Sequence, residues 1–135
     1  HMTGQVCTSA ERLFVHDAVF DDFLDRFIAE TKRLRIGHGL EIAEIGPLVS
    51  EAARAKVIRL VDDALAKGAT LHTGGRIPPD RTTGWFYEPT ILPRCTPEMA
   101  LLQEECFGPV AAITRVASLD EAIARANTSD FGLGA

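Results

Sequence analysis

The sequence predicts a layered α/β fold, a largely parallel sheet with flanking helices. Short runs of β-branched and aromatic residues, such as Arg12–His16 and Val110–Val116, alternate with longer stretches of helical periodicity. Parallel neighbours need long crossovers, and the helical stretches supply them. Eleven Gly and seven Pro are scattered between these segments as punctuation, not massed into a low-complexity tract.

Directly after a Gly4-Gln5-Val6-Cys7 turn, Arg12-Leu13-Phe14-Val15-His16 reads as the first strand. A helix is predicted from Ala18 to about Arg35. Phe20, Phe23, Leu24, Phe27, Ile28 and Leu34 fall at helical spacing, Asp17 is placed to cap the start, and Gly37 lies just beyond the end. A loop with Gly37, Gly39, Gly46 and Pro47 leads to Ser50, a good N-cap for a second helix that runs to about Lys67 and stops at Gly68. Ala69–Thr73 reads as a strand and Gly74 to Gly84 as an exposed loop. Trp85 to Leu92 reads as an extended run interrupted by Pro89, with a turn over Pro93 to Pro97. Val110 to Val116 reads as a buried strand, and Ser118-Leu119-Asp120-Glu121 is a capping-box sequence opening a last helix that ends at Asn127. The closing Phe131-Gly132-Leu133-Gly134-Ala135 has the look of an approach to another element.

A length of 135 residues suits one domain that buries about two thirds of its unfolded surface. His1-Met2 reads as a vector remnant, which leaves residues 3–135 as that domain. The net charge of −5, with no long run of Lys or Arg, argues against nucleic acid as a partner. No apolar stretch approaches the ~20 residues of a bilayer span and no secretory leader opens the chain, so the expectation is no membrane and a cytoplasmic location. Cys7, Cys95 and Cys106 are odd in number and form no CxxC pair, which predicts free thiols and no metal site.

Cys7 is the first candidate for chemistry, since a thiol on a Gly-containing turn before a strand is presented at an edge. An unassisted thiol is only a few per cent ionised near neutrality, so a nucleophile needs help from its neighbours. The plainer reading is packing, because free cysteines are among the most buried residues. Glu104-Glu105 precedes the apolar, turn-forming run Cys106-Phe107-Gly108-Pro109-Val110. Adjacent acids usually mark a solvated helix end, and Phe107 read alone is a core aromatic.

Five segments occur in order: Gly4-Gln5-Val6-Cys7, Gly46-Pro47-Leu48, Gly84-Trp85-Phe86-Tyr87-Glu88-Pro89-Thr90, Glu104-Glu105-Cys106-Phe107-Gly108-Pro109-Val110 and Asn127-Thr128-Ser129-Asp130-Phe131-Gly132-Leu133. Together they resemble the aldehyde dehydrogenase superfamily over Thr3 to Ala135, as a partial catalytic domain, and are similar to its lactaldehyde, succinate-semialdehyde and betaine-aldehyde branches. The resemblance implies that Cys7 attacks an aldehyde through a thiohemiacetal and a thioester to give a carboxylic acid. It implies that Glu105 bonds the nicotinamide ribose and that Phe107 packs beside the nicotinamide. Gly4 and Gln5 would shape the nucleophile turn, with the Cys7 N–H one donor to the oxyanion. The cofactor is NAD or NADP, bound mainly by a domain absent from this chain, and the partners implied are a small-molecule aldehyde and further copies in a homo-oligomer. Two departures stand out. Met2 occupies the position of a family Asn, and Cys106 stands where Ile, Val or Thr is usual. Neither the Glu-Leu-Gly-Gly type segment that supplies the general base nor a dinucleotide-binding region occurs in these residues, so the chain alone is expected to be inactive.

Two other readings compete. A cysteine-nucleophile hydrolase or acyltransferase needs a His partner, and His16, His38 and His72 lie near no obvious motif. A non-catalytic interaction module needs no reactive thiol at all.

Overall fold

The computed structural model describes residues 2–134. His1 of the expected remnant and Ala135 of the closing run lie outside the described residues. Strands β1 (Arg12–His16), β2 (Thr90–Pro93) and β3 (Val110–Val116) form one parallel sheet in the order β1-β3-β2. The layered parallel α/β arrangement expected from the sequence is present.

β3 is central and covered on both faces, which is why it reads as a nearly unbroken apolar run. Its side chains alternate between two cores. Val110 and Ala112 pack with Val57, Leu60, Val61 and Ala64 of helix α2 (Glu51–Ala66) and Leu101 of helix α3 (Ala100–Gln103). Ile113 faces the other way, with Val15, Ile91, and Phe20 and Leu24 of helix α1 (Phe20–Thr31). The result is α1 on one face of the sheet and α2 with α3 on the other. Ser50 caps α2 by accepting the Ala53 N–H at 3.1 Å. Helix α4 (Leu119–Ala126) follows β3, and Ser118 accepts the Glu121 N–H as expected. The Glu121 carboxylate reaches back to the Ala117 N–H, one residue earlier than in a standard capping box.

Four local expectations are corrected. The first helix ends at Thr31, not near Arg35: the Arg33 and Leu34 N–H groups turn to acceptors three residues back, and Leu34 is exposed. Asp17 is not its cap. It lies in a 3₁₀ turn, Asp17–Val19, whose Ala18 N–H is accepted by His16 Nδ1 at 3.1 Å. Ala69–Thr73 runs beside β2 without becoming a strand. Thr70 and His72 donate to Pro93 and Ile91, but Pro93 has no N–H to return, and a single antiparallel bridge, Thr73 with Ile91, survives. The extended run before Pro89 is likewise not strand. Its ends bond elsewhere, Trp85 O accepting the Leu48 N–H and the Glu88 N–H going to Arg76 O, so β2 begins at Thr90 and takes in Pro93, with the turn left to Arg94 at φ +63°. α3 has no signal in the sequence: it is four residues long, lacks a side-chain cap, and is held by Asp63 Oδ2 of α2 accepting the Ala100 N–H at 2.8 Å.

Leu60→Ala empties a position with no solvent exposure, so it should lower unfolding free energy by about 2–5 kcal/mol in urea titrations. Leu119→Ala, at a residue 73% exposed, should stay within about 0.5 kcal/mol.

Candidate functional site

The parallel register places each β1 residue beside the β3 residue numbered 100 higher, from Arg12 with Ala112 to His16 with Val116. The segments leading into these strands therefore start from the same end of the sheet. One holds Cys7 and the other holds Glu105 and Phe107.

Cys7 sits at the centre of a turn closed by the Ser9 N–H donating to Val6 O at 2.9 Å. The turn is fixed from behind. Thr3, buried and at φ +58°, donates its hydroxyl to Gly46 O at 3.2 Å, and its Oγ1 accepts the Gly46 N–H at 3.1 Å. Gln5 donates Nε2 to Pro47 O at 3.3 Å and accepts the Val49 N–H at 2.8 Å. The Gly46-Pro47-Leu48 loop is thus the frame of the Cys7 turn. Gly4, at φ +76°, lies so close to the second segment that a Cβ there would stand 2.1 Å from Gly108 O. A Cβ on Gly108 would in turn stand 2.4 Å from Val57 Cγ2. Only glycines permit this stacking of loop on loop on helix.

In the second segment, Glu104 closes α3 and pairs with Arg59 at 2.6 Å, a hydrogen bond that holds the Glu104 carboxyl below the usual range. Glu105 is exposed and makes no side-chain ion pair or hydrogen bond among the described residues. Phe107 is half-buried with its backbone in the left-handed region, φ +53°. The carboxylate of Glu11 accepts the N–H groups of both Cys106, at 2.9 Å, and Phe107, at 2.7 Å. Nothing in the sequence points to Glu11, since an acid just before a strand reads as solvated and its partners are 95 and 96 positions away.

Cys7, Glu105 and Phe107 line one cleft of about 740 Å³, together with Thr8, Phe14 and Phe131. Gly4 and Gln5 do not line it; they stand behind the turn that forms its wall. The three thiols differ sharply. Cys7 is exposed. Cys95 is buried, donates to Leu92 O at 3.1 Å, and has its pKa pushed up to about 11 by burial. Burial, reinforced by the Glu11 charge, pushes Cys106 up to about 12. Neither is a thiolate near neutrality. His16, His38 and His72 all lie outside the cleft.

A model of the aldehyde dehydrogenase family matches residues 1–135. The chain belongs to that family. It is 46% identical over 132 residues to the NADP(+) succinate-semialdehyde dehydrogenase of Mycobacterium avium (strain 104), covering 97% of this chain and 28% of that protein. To the betaine aldehyde dehydrogenase of Bacillus subtilis (strain 168) it is 43% identical over 133 residues, covering 96% and 27%. The solved betaine aldehyde dehydrogenase of Staphylococcus aureus, in complex with NAD+, superposes with a TM-score of 0.92 at 38% identity, over 98% of this chain and 27% of that one. This aldehyde dehydrogenase segment thus spans little more than a quarter of the length of these relatives. No helix among the described residues is long and apolar enough to cross a membrane.

Of the three thiols, Cys7 alone should react with a disulfide reagent in the folded protein at pH 8, and Cys95 and Cys106 should join only after denaturation. Counting released thiolate by absorbance, before and after adding guanidinium, checks this.

Proposed function

We propose that residues 3–135 are part of the catalytic domain of a cytoplasmic NAD(P)-dependent aldehyde dehydrogenase, with Cys7 as nucleophile and Glu105 and Phe107 as contacts to the nicotinamide half of the cofactor. The observation that carries this reading is the shared cleft, which sets the exposed thiol on the same wall system as a free carboxylate and an aromatic ring. That wall fits the group. A nicotinamide riboside needs a flat apolar surface for its ring and an acceptor for its hydroxyls, and Phe107 and Glu105 offer one each. The M. avium relative is named for NADP(+) and the S. aureus structure holds NAD+, which supports a nicotinamide cofactor and leaves both forms as candidates.

The Cys7 thiolate bonds to the aldehyde carbon, and the carbonyl oxygen becomes an oxyanion. The Cys7 N–H, which meets no acceptor among the described residues, is placed to donate to it. A nicotinamide held against Phe107 and Glu105 would supply the acceptor for the hydride that leaves this carbon. Cys7 then holds the acyl group as a thioester, and water cleaves the carbon–sulfur bond to release the carboxylic acid and restore the thiolate. A hydrolase or acyltransferase working through Cys7 would want a histidine in the same cleft, where His16, His38 and His72 are not found. The aldehyde is a small molecule, the working enzyme is a homo-oligomer, and the rest of the cofactor is held by parts of the longer protein. The 135-residue chain alone should give no NAD(P)H signal above a Cys7→Ala control.

In the full-length enzyme, Cys7→Ala should lower aldehyde oxidation by on the order of 10³-fold or more while leaving NAD(P) titration unchanged. Near wild-type turnover would sink the assignment. Glu105→Gln should slow single-turnover hydride transfer by about tenfold, the scale of one charge-assisted hydrogen bond, and weaken overall cofactor binding less. Stopped-flow absorbance at the NAD(P)H band measures the first and calorimetry the second.

A further inference from the structure

We propose that Glu11 is a positioning residue for the cofactor side of the site: its carboxylate holds the Glu105–Phe107 segment in place against the Cys7 turn. The inference rests on the reading of Glu105 and Phe107 given above and adds a residue to which that reading assigns nothing. Glu11 is half-buried, four positions after Cys7 and directly before β1. It makes no ion pair among the described residues. Both its oxygens accept from successive backbone N–H groups, Cys106 at 2.9 Å and Phe107 at 2.7 Å. Successive N–H groups converging beside a left-handed residue form a small anion-binding concavity, and here a side chain of the same chain fills it.

Three features make this more than an ordinary loop contact. First, Phe107 at φ +53° is unfavourable for a residue with a Cβ, and such a backbone persists where its surroundings over-determine it. Rotating the peptide before Phe107 would swing its N–H away from Glu11 and release the φ of the residue whose ring lines the cleft. Second, the segment is fixed from below by the buried Cys106 side chain and by Gly108 pressed on Val57, so Glu11 acts at its cleft-side end. Third, the Cys7 turn is tied to residues 46–49 through Thr3 and Gln5, without Glu11. Loss of the Glu11 carboxylate should therefore move the Glu105 side of the cleft and leave the thiol where it is. A glutamine keeps one acceptor and turns an NH₂ group against the second N–H. An aspartate keeps the charge but is one methylene short of reaching both.

The test uses the full-length enzyme and needs no turnover for its first readout. In Glu11→Gln without cofactor, amide hydrogen exchange at Cys106 and Phe107 should quicken by about tenfold while exchange in β3 is unchanged, and iodoacetamide should alkylate Cys7 at the wild-type rate. Single-turnover hydride transfer should fall by about tenfold, with the dissociation constants of NAD+ and NADP+ moving by less than about threefold. Combining Glu11→Gln with Glu105→Gln should be no slower than the slower single variant, because both act through one segment. Glu11→Asp should move each readout in the same direction by less, and it carries the comparison if Glu11→Gln does not fold. Unchanged exchange at Cys106 and Phe107, an unchanged transfer rate, additive losses in the double variant, or Cys7 alkylation falling in parallel would each overturn the proposal. A silent Glu105→Gln would instead overturn the role of Glu105, while exchange at Phe107 and the transfer rate of Glu11→Gln would still decide on Glu11.

Discussion

The parallel pairing of β1 with β3 is the constraint from which the site follows. It brings two loops to one end of the sheet, although Arg12 and its neighbour Ala112 are far apart in the chain. In open α/β sheets ligands commonly meet the carboxyl ends of strands. Here the cleft residues Cys7, Glu105 and Phe107 precede β1 and β3 and stand at the amino ends. The geometry is set by how one loop rests on another, and the Gly4 to Gly108 approach makes that contact backbone on backbone.

Local strain collects in the same place. Among the described residues four that are not glycine have a left-handed backbone; Met2, Thr3 and Phe107 belong to the two facing segments and Arg94 lies elsewhere. Such residues cost of order 1–3 kcal/mol each. The compensating bonds are specific: Met2 O accepts the Gln5 N–H, Thr3 grips Gly46, and Glu11 grips Phe107. Strain and restraint together hold the exposed thiol and the Glu105–Phe107 wall in fixed relation at the mouth of the sheet.

Elements with a strong local signal were legible in the sequence. β1 and β3 match their expected bounds, and Ser50 and Ser118 announce α2 and α4 because a cap and a periodic stripe are properties of adjacent residues. What failed depends on partners. Ala69–Thr73 has strand composition, yet Pro93 across from it cannot complete a ladder. α3 exists because Asp63 and the buried Met99 hold it. In the site, the motif residues Cys7, Glu105 and Phe107 were legible and meet in one cleft. Thr3 and Glu11 were not, since their partners lie 43 and 95 or 96 positions away and a hydroxyl or carboxylate in a loop looks solvated until that partner is known.

The same pairing has a consequence in time. Synthesis at about 5–20 residues per second separates the emergence of β1 from that of β3 by roughly 5–20 s. Among the described residues β1 pairs with β3 alone and β2 lies beyond, so through that interval its neighbour within this segment is still to be made. Closing so long a loop is slow compared with forming α1 or α2, whose contacts are local. The Cys7 turn is thus made early and the Glu105–Phe107 wall of its cleft arrives late, so Glu11 and Gly4 wait through nascent-chain growth for the segment they hold.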